Sequence, residues 1–219
     1  MTTALDRIAR TTHALKVFPL PSAVLFPHAA LPLHIFEPRY RALVRDALAG
    51  DKVMALAQLE PGWEGQYGER PPMQPMLCAG LIIWHEELPD GRYNILLQGI
   101  TRARLLQELP DENPYREVRV QLLPDSEYQG PEEERLRQAV FELAGRVPAS
   151  FAENLLPVVA RSQGGALADV VAAAVVPEPE RRQELLCELD VRTRLEAVLD
   201  DVGELIARLS PVKPVGPLN

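Results

Sequence analysis

Along the first half of the chain the apolar positions recur mostly at every second residue, and beyond residue 131 they recur at every third and fourth. The first period belongs to strands with one buried face, the second to amphipathic helices. Residues 17–20 read as a short strand closed by proline, 23–26 as a second apolar run stopped by Pro27, and 30–35 as a third extended piece. Residues 52–59 and 77–86 read as core strands, the latter centred on Leu81, Ile82, Ile83 and Trp84. Pro89-Asp90-Gly91 has turn chemistry, residues 92–98 return, and Gly99 marks a bulge or bend before 101–109. There Ala103, Leu105 and Gln107 fall on one side, Arg102 and Arg104 on the other. Residues 115–122 alternate Val118 and Val120 against Arg119 and Gln121. With mostly antiparallel neighbours and short connections, about six strands suit a closed or half-closed barrel better than an open sheet.

One helix interrupts the strands. Pro38 is suited to a first helical position, where its missing N–H costs no bond. Tyr40, Leu43, Val44, Ala47 and Leu48 then line one face, and Gly50 is placed to end it. Pro131 followed by Glu132, Glu133 and Glu134 opens the helical part, since acidic residues favour a helix N-terminus. Leu136, Val140, Leu143 and Ala144 form its apolar face. Residues 151–161 read as a helix flawed at Pro157, Gly164-Gly165 as a break, and 166–176 as a helix buried all round. After Pro177 and Pro179, Leu185 through Leu209 keep a seam of one long helix or two with a kink, interrupted only at Arg192. Residues 1–14 read as a mobile tail or frayed helix, and 210–219 as a proline-rich tail.

Composition sharpens this division. The 219 residues include 21 prolines, concentrated before residue 132. Proline is excluded from helix interiors and central strands, so the first part holds short strands and shaped loops. The stretch 60–76, EPGWEGQYGERPPMQPM, is an irregular loop carrying Trp63 and Tyr67, either a binding loop or a cover over a sheet edge. The net charge of −8 opposes the basic excess that nucleic-acid backbones require. Two distant cysteines, Cys78 and Cys187, make neither a disulfide framework nor a zinc spacing and suit a reducing compartment. The N-terminus has no signal-peptide core and no run reaches membrane-spanning length, so a cytoplasmic protein is expected.

Candidate chemistry is sparse. His28 and His34 lie six residues apart with Pro32 between them and no third ligand nearby, so no metal or cofactor is expected. His85-Glu86-Glu87 reads as a solvated cluster before a turn. Cys78 and His85, seven apart on one strand, point to opposite faces and form no nucleophile–base pair. Both cysteines read as buried, inert thiols. Asp90 with Arg92 reads as a turn device, and Asp190 with Arg194 as an i, i+4 helix pair. Arg41 and Arg45 face solvent from the first helix. The remaining candidate contact set is an apolar segment with a rim of charge: His34, Phe36, Glu37, Arg39, Arg41, Trp63 and Tyr67.

The opening stretch FPLPSAVLFPHAALPLHIFEPRYRALV, residues 18–44, resembles the start of the Lon N-terminal, or substrate-binding, domain family. GLIIWHEELPDGRYNILLQGITRARL at 80–105 is similar to that family's central hairpin, and Pro114-Tyr115-Arg116 to the opening of its last strand. Further pieces match at Asp169 to Ala173, Gln183 to Leu186 and Asp190 to Leu195, so the resemblance covers roughly 17–208. It implies an α+β fold: a PUA-like β-pseudo-barrel over 15–125, then an α-helical bundle over 130–209, between flexible tails at 1–14 and 210–219. It implies a non-catalytic module that holds unfolded polypeptide, a degron or a partner protein between barrel and helices, with a Lon-type protease as a further partner. No G-x-x-x-x-G-K-[ST] loop and no Ser-Lys pair occurs, so a member lacking the ATPase and protease domains is expected. PUA-like barrels also read RNA or modified nucleotides; that alternative conflicts with the acidic charge and the lack of a basic-aromatic stripe.

Overall fold

The protein is described by a computed structural model that covers residues 3–66 and 70–210. Tyr67 and the terminal segment 211–219 therefore lie outside the described residues. The architecture is α+β. Strands β1 (Leu15–Leu20), β2 (Ala30–Ile35), β3 (Val53–Gln58), β4 (Met76–Glu87), β5 (Tyr93–Glu108) and β6 (Arg116–Leu123) form one sheet in the order β2-β5-β4-β3-β1-β6. A further β5–β6 pairing closes the last five strands of that order into a barrel and leaves β2 outside it. Closure works because β5 is long: residues 93–98 pair with β2, and residues 102–108 pair with β6. Every pairing is antiparallel except β1 with β3. A parallel pair needs a crossover, supplied here by the chain through β2 and the intervening helix.

Alternate residues of the barrel strands fill its interior, among them Leu15, Val17, Ala55, Ala57, Leu77, Ala79, Ala103 and Val118. The alanines fit the narrow lumen of a five-stranded barrel. Ile8 joins this cluster fully buried. It stands on helix α1 (Ala4–Ala9), whose start is fixed by a capping box between Thr3 and Asp6. Residues 4–9 thus form a helix, the second of the two expected readings, whose capping box bonds the Thr3 and Asp6 N–H groups and whose Ile8 packs with the barrel interior while Leu5 is exposed.

The run 23–26 is not a strand. Val24, Leu25 and Phe26 are buried as irregular chain lying against β5. His28 N–H bonds Gly99 O, and Gly99 N–H bonds Ala29 O, each at 2.9 Å. A Cβ on Gly99 would collide with the Phe26 carbonyl, so the glycine permits this close approach. The bulge expected there falls at Ile100, the extra residue between the Ala79↔Thr101 and Gly80↔Gly99 pairs.

Helix α2 (Pro38–Ala49) buries Tyr40, Leu43, Val44 and Ala47, the face expected from the spacing. The helical layer comprises α3 (Pro131–Ala144), α4 (Ala149–Arg161), α5 (Gly164–Val175), α6 (Pro179–Cys187) and α7 (Val191–Leu209). The apolar run of α5 is buried nearly all round. The long seam is two helices, parted at residues 188–190, because Asp190 is the N-cap of α7 and accepts from Thr193 N–H at 2.8 Å. Asp190 therefore does not pair with Arg194.

One hydrophobic cluster runs from the barrel's outer face into the helices, and a buried ion group lies within that junction. Arg102 of β5, 1% exposed, donates to both Asp169 carboxylate oxygens at 2.9 and 2.6 Å and to Leu186 O at 2.9 Å. Arg194 of α7 pairs with Asp125 and donates to Glu188 O at 2.6 Å. The alternation that placed Arg102 on a polar side identified the face correctly. That face is covered by α5, α6 and α7, so the guanidinium must be paired with carboxylate there. Gly165 leaves room for the group, since a Cβ would strike Asp125 and Arg194.

Candidate functional site: an open apolar face on the β2-β5-β4 arm

Beyond Leu81, β4 has no β3 partner and projects with β5 and β2 as a three-stranded arm. Residues directly opposite on neighbouring strands carry their side chains to the same face. Three rows are aligned this way: Ala30 with Gln98; Pro32 with Leu96 and Trp84; His34 with Asn94 and Glu86. The other face of the arm, through Ile82, Leu97, Ile95, Tyr93 and Ile35, belongs to the main core with Tyr40 and Leu43 of α2. On the open face Trp84 is 53% exposed, and Ile83, the bulge residue beside it, is also 53% exposed.

Polar side chains hold the outer row in place. His34 Nδ1 and Asn94 Oδ1 lie 2.7 Å apart, and Asn94 Nδ2 donates to Glu86 at 3.0 Å. Arg92, paired with Asp90 at 2.6 Å as the turn chemistry implied, also reaches His34 Nε2 at 3.2 Å. Phe36, 60% exposed, stacks on His34 with ring centroids 6.2 Å apart. At the inner row, Ala30 and Gln98 also line a cleft of about 450 Å³ against Phe151, Leu155 and Val158 of α4 and Val170 and Ala173 of α5. A contiguous exposed apolar surface of this kind, with a polar border, marks a contact site more than scattered apolar residues do.

The sequence candidates divide among separate surroundings. His34 and Phe36 stand together on the open face. Glu37 and Arg39 bond each other at the start of α2, and Arg39 lies over the Tyr40 ring at 4.6 Å. Arg39 also lines a second cleft, of about 550 Å³, with Arg70, Tyr115 and Arg116. Arg70 and Arg116 are both paired with Glu108, at 3.1 and 2.7 Å, so these arginines are not presented as an anion site. Arg41 abuts the Gly91 turn at the arm's tip. Trp63 lies on a short 3₁₀ turn, half-buried against the barrel-interior cluster. The 60–76 loop is less irregular than expected: Leu59 bridges Met73, and Glu60 N–H bonds Pro72 O at 2.9 Å. Trp84 and Leu96 were missed as contact residues because a strand of continuous apolar text reads as core; the β3 pairing that stops at Val53 and the bulge at Ile83 leave Trp84 exposed and Leu96 half-buried beside it.

Cys78 is wholly buried, and burial pushes its thiol up to about 12, while His85 stands exposed on the arm. Cys187, expected to be buried, is exposed at the end of α6 beside Gln183. Among the described residues no group of three His, Cys, Asp or Glu side chains could hold a metal ion. No described helix is long and apolar enough to cross a membrane.

The fold, a small closed barrel with a side arm and a helical layer, is that of Lon N-terminal domains. The N-terminal domain of a Mycobacterium avium complex Lon protease matches with a TM-score of 0.67 at 18% identity, over 87% of this chain and 98% of that one. A Lon N-terminal domain protein from Xanthomonas campestris matches with a TM-score of 0.65 at 25% identity, over 85% and 97%. The chain belongs to the family of the ATP-dependent protease La (LON) substrate-binding domain, whose model matches residues 14–202. Lon protease 2 of Myxococcus xanthus is 28% identical over 85% of this chain, and Lon protease of Roseiflexus castenholzii 32% identical over 84%. In each case the chain spans 23% of the relative's length.

Proposed function

We propose that this chain is a non-catalytic module that holds polypeptide — an unfolded segment, a degron or a partner protein — on the open face of the arm and in the adjoining cleft. The observation that carries the reading is the row Pro32, Leu96 and Trp84, exposed at Pro32 and Trp84 with Leu96 half-buried between them, bordered by Phe36 and continued by Ala30 and Gln98 into the apolar cleft. Burying exposed aromatic and aliphatic surface contributes about 25 cal/mol per Å², and rigid aromatics lose little entropy in doing so. Membership of a substrate-binding family supports polypeptide as the class of ligand. Presentation of that polypeptide to a Lon-type protease, in the cytoplasm, is part of the same proposal.

The test is binding of an alkylated, permanently unfolded model protein, followed by fluorescence anisotropy of a label on that protein. The wild-type chain binds at micromolar concentration. Phe36→Ser with Trp84→Ser weakens binding by about tenfold or more, roughly 1.4 kcal/mol or above. Trp63→Ala leaves it unchanged, because that ring packs on the barrel interior. Equal binding by the wild-type and doubly substituted chains would remove the face from the account.

A further inference from the structure

The two outer edges of the arm are built differently. Leu88 N–H bonds Arg92 O at 2.8 Å at the mouth of the β4–β5 hairpin. In an antiparallel ladder, bonded pairs recur every second residue. Glu86 with Asn94 and Trp84 with Leu96 are therefore the bonded pairs, and the backbone N–H and C=O of His85 and Glu87 point away from β5. The last bond from β4 toward β3 is Ile82 N–H to Lys52 O at 2.9 Å. From Ile83 to Glu87 that side of β4 has no strand partner, and all five residues are exposed.

The same parity applies to β2. Asn94 and Leu96 bond toward β4, so Tyr93, Ile95 and Leu97 bond toward Ile35, Leu33 and Leu31. Ala30, Pro32 and His34 then present their backbone to solvent. Proline occupies the middle one of these positions, where its missing N–H withholds the central donor from any added strand. That is a standard protection against edge pairing. The β4 edge has no proline and no bound cover. Its exposed side chains are instead Ile83, Trp84, His85, Glu86 and Glu87, and neither glutamate has an ion-pair partner among the described residues. Of the cations at the tip, Arg92 is taken up by Asp90, and Arg41 lies against the Gly91 turn.

We infer that residues 83–87 of β4 are an addition site for one extended polypeptide strand that alternates apolar and basic side chains. The strand's backbone bonds the outward groups of His85 and Glu87. Its apolar side chains lie on the open face beside Trp84, and its Lys or Arg side chains lie on the opposite face beside Glu87. This rests on the polypeptide-binding reading above and specifies the ligand and how it binds. Backbone pairing would supply affinity for many sequences, with alternate side chains setting preference.

The test uses fluorescein-labelled nine-residue peptides of alternating valine and lysine, with a valine–glutamate peptide as the charge control and versions N-methylated at alternate amides. Anisotropy is measured against the wild-type chain, His85→Pro, and Glu86→Lys with Glu87→Lys, each checked for native thermal unfolding. The valine–lysine peptide binds the wild type. Methylation of one alternate set of amides costs about tenfold or more in affinity and methylation of the other set does not. His85→Pro causes a similar loss, since it removes an outward N–H without breaking a bond to β5. The double glutamate reversal transfers preference to the valine–glutamate peptide. If methylated peptides and His85→Pro bind normally while Trp84→Ser abolishes binding, strand addition is wrong and docking on the face alone stands. If the wild type binds neither peptides nor unfolded protein, the polypeptide-binding reading fails, and strand addition with it.

Discussion

The two ends of the β4–β5 ribbon have the same strand pairing and opposite surroundings. At the root, Arg102 faces Cys78 across the ribbon, both under the helical layer. At the tip, Trp84 faces a half-buried Leu96 and is itself 53% exposed. A charged residue is therefore enclosed and an indole is left in water, the reverse of what side-chain type alone would place. The root resolves its conflict internally: two guanidiniums meet the carboxylates of Asp169 and Asp125 and the free carbonyls of Leu186 and Glu188. The tip has no internal remedy, so its apolar surface is available to something outside the chain.

The comparison breaks most decisively at the root. Arg102→Ala leaves Asp169 buried with only Arg194 nearby, and it should destabilise the protein by about 3–5 kcal/mol in urea unfolding. A loss below about 1 kcal/mol would mean the ion group does not clamp barrel to helices. Gly165→Ala, which forces a methyl between Asp125 and Arg194, should cost about 1–3 kcal/mol in the same assay. At the tip the expectation inverts. Trp84→Ser should change stability by no more than about 0.5 kcal/mol while reducing polypeptide binding, because a half-exposed side chain on an open face has few neighbours to lose.

The smallest effect concerns acid. Thr193 N–H holds the Asp190 carboxyl below its ordinary range. A group whose folded pKa is depressed adds stability above its unfolded value, about 3.9, and loses it as pH falls toward the folded value. Asp190→Asn keeps an N-cap acceptor but cannot titrate. Its unfolding curves should therefore show a shallower loss of stability below about pH 4 than those of the wild type, with little difference at pH 7.

Much of the architecture was legible beforehand. Pro38, the face from Tyr40 to Ala47, the Pro89-Asp90-Gly91 turn and the switch to helical spacing after Pro131 are local signals, and local signals decide local structure. The misplacements have a common cause. Residues 23–26 have strand-like composition but lie as irregular chain against Gly99, Ile8 packs with the barrel interior, and Arg194 turns inward to Asp125 rather than back to Asp190. Each depends on a residue tens of positions away. The candidate site shows the same limit: His34 and Phe36 were visible from their own segment, while Trp84 and Leu96 were not.

What the sequence determined by itself, then, was periodicity, punctuation and family pattern: which segments extend, which coil, where they stop, and that a barrel precedes a helical layer. The tertiary structure alone decided which faces are covered. Burial is a property of what lies opposite a residue in space, so one alternating strand text produced an enclosed arginine at one end of β5 and an open apolar row at the other.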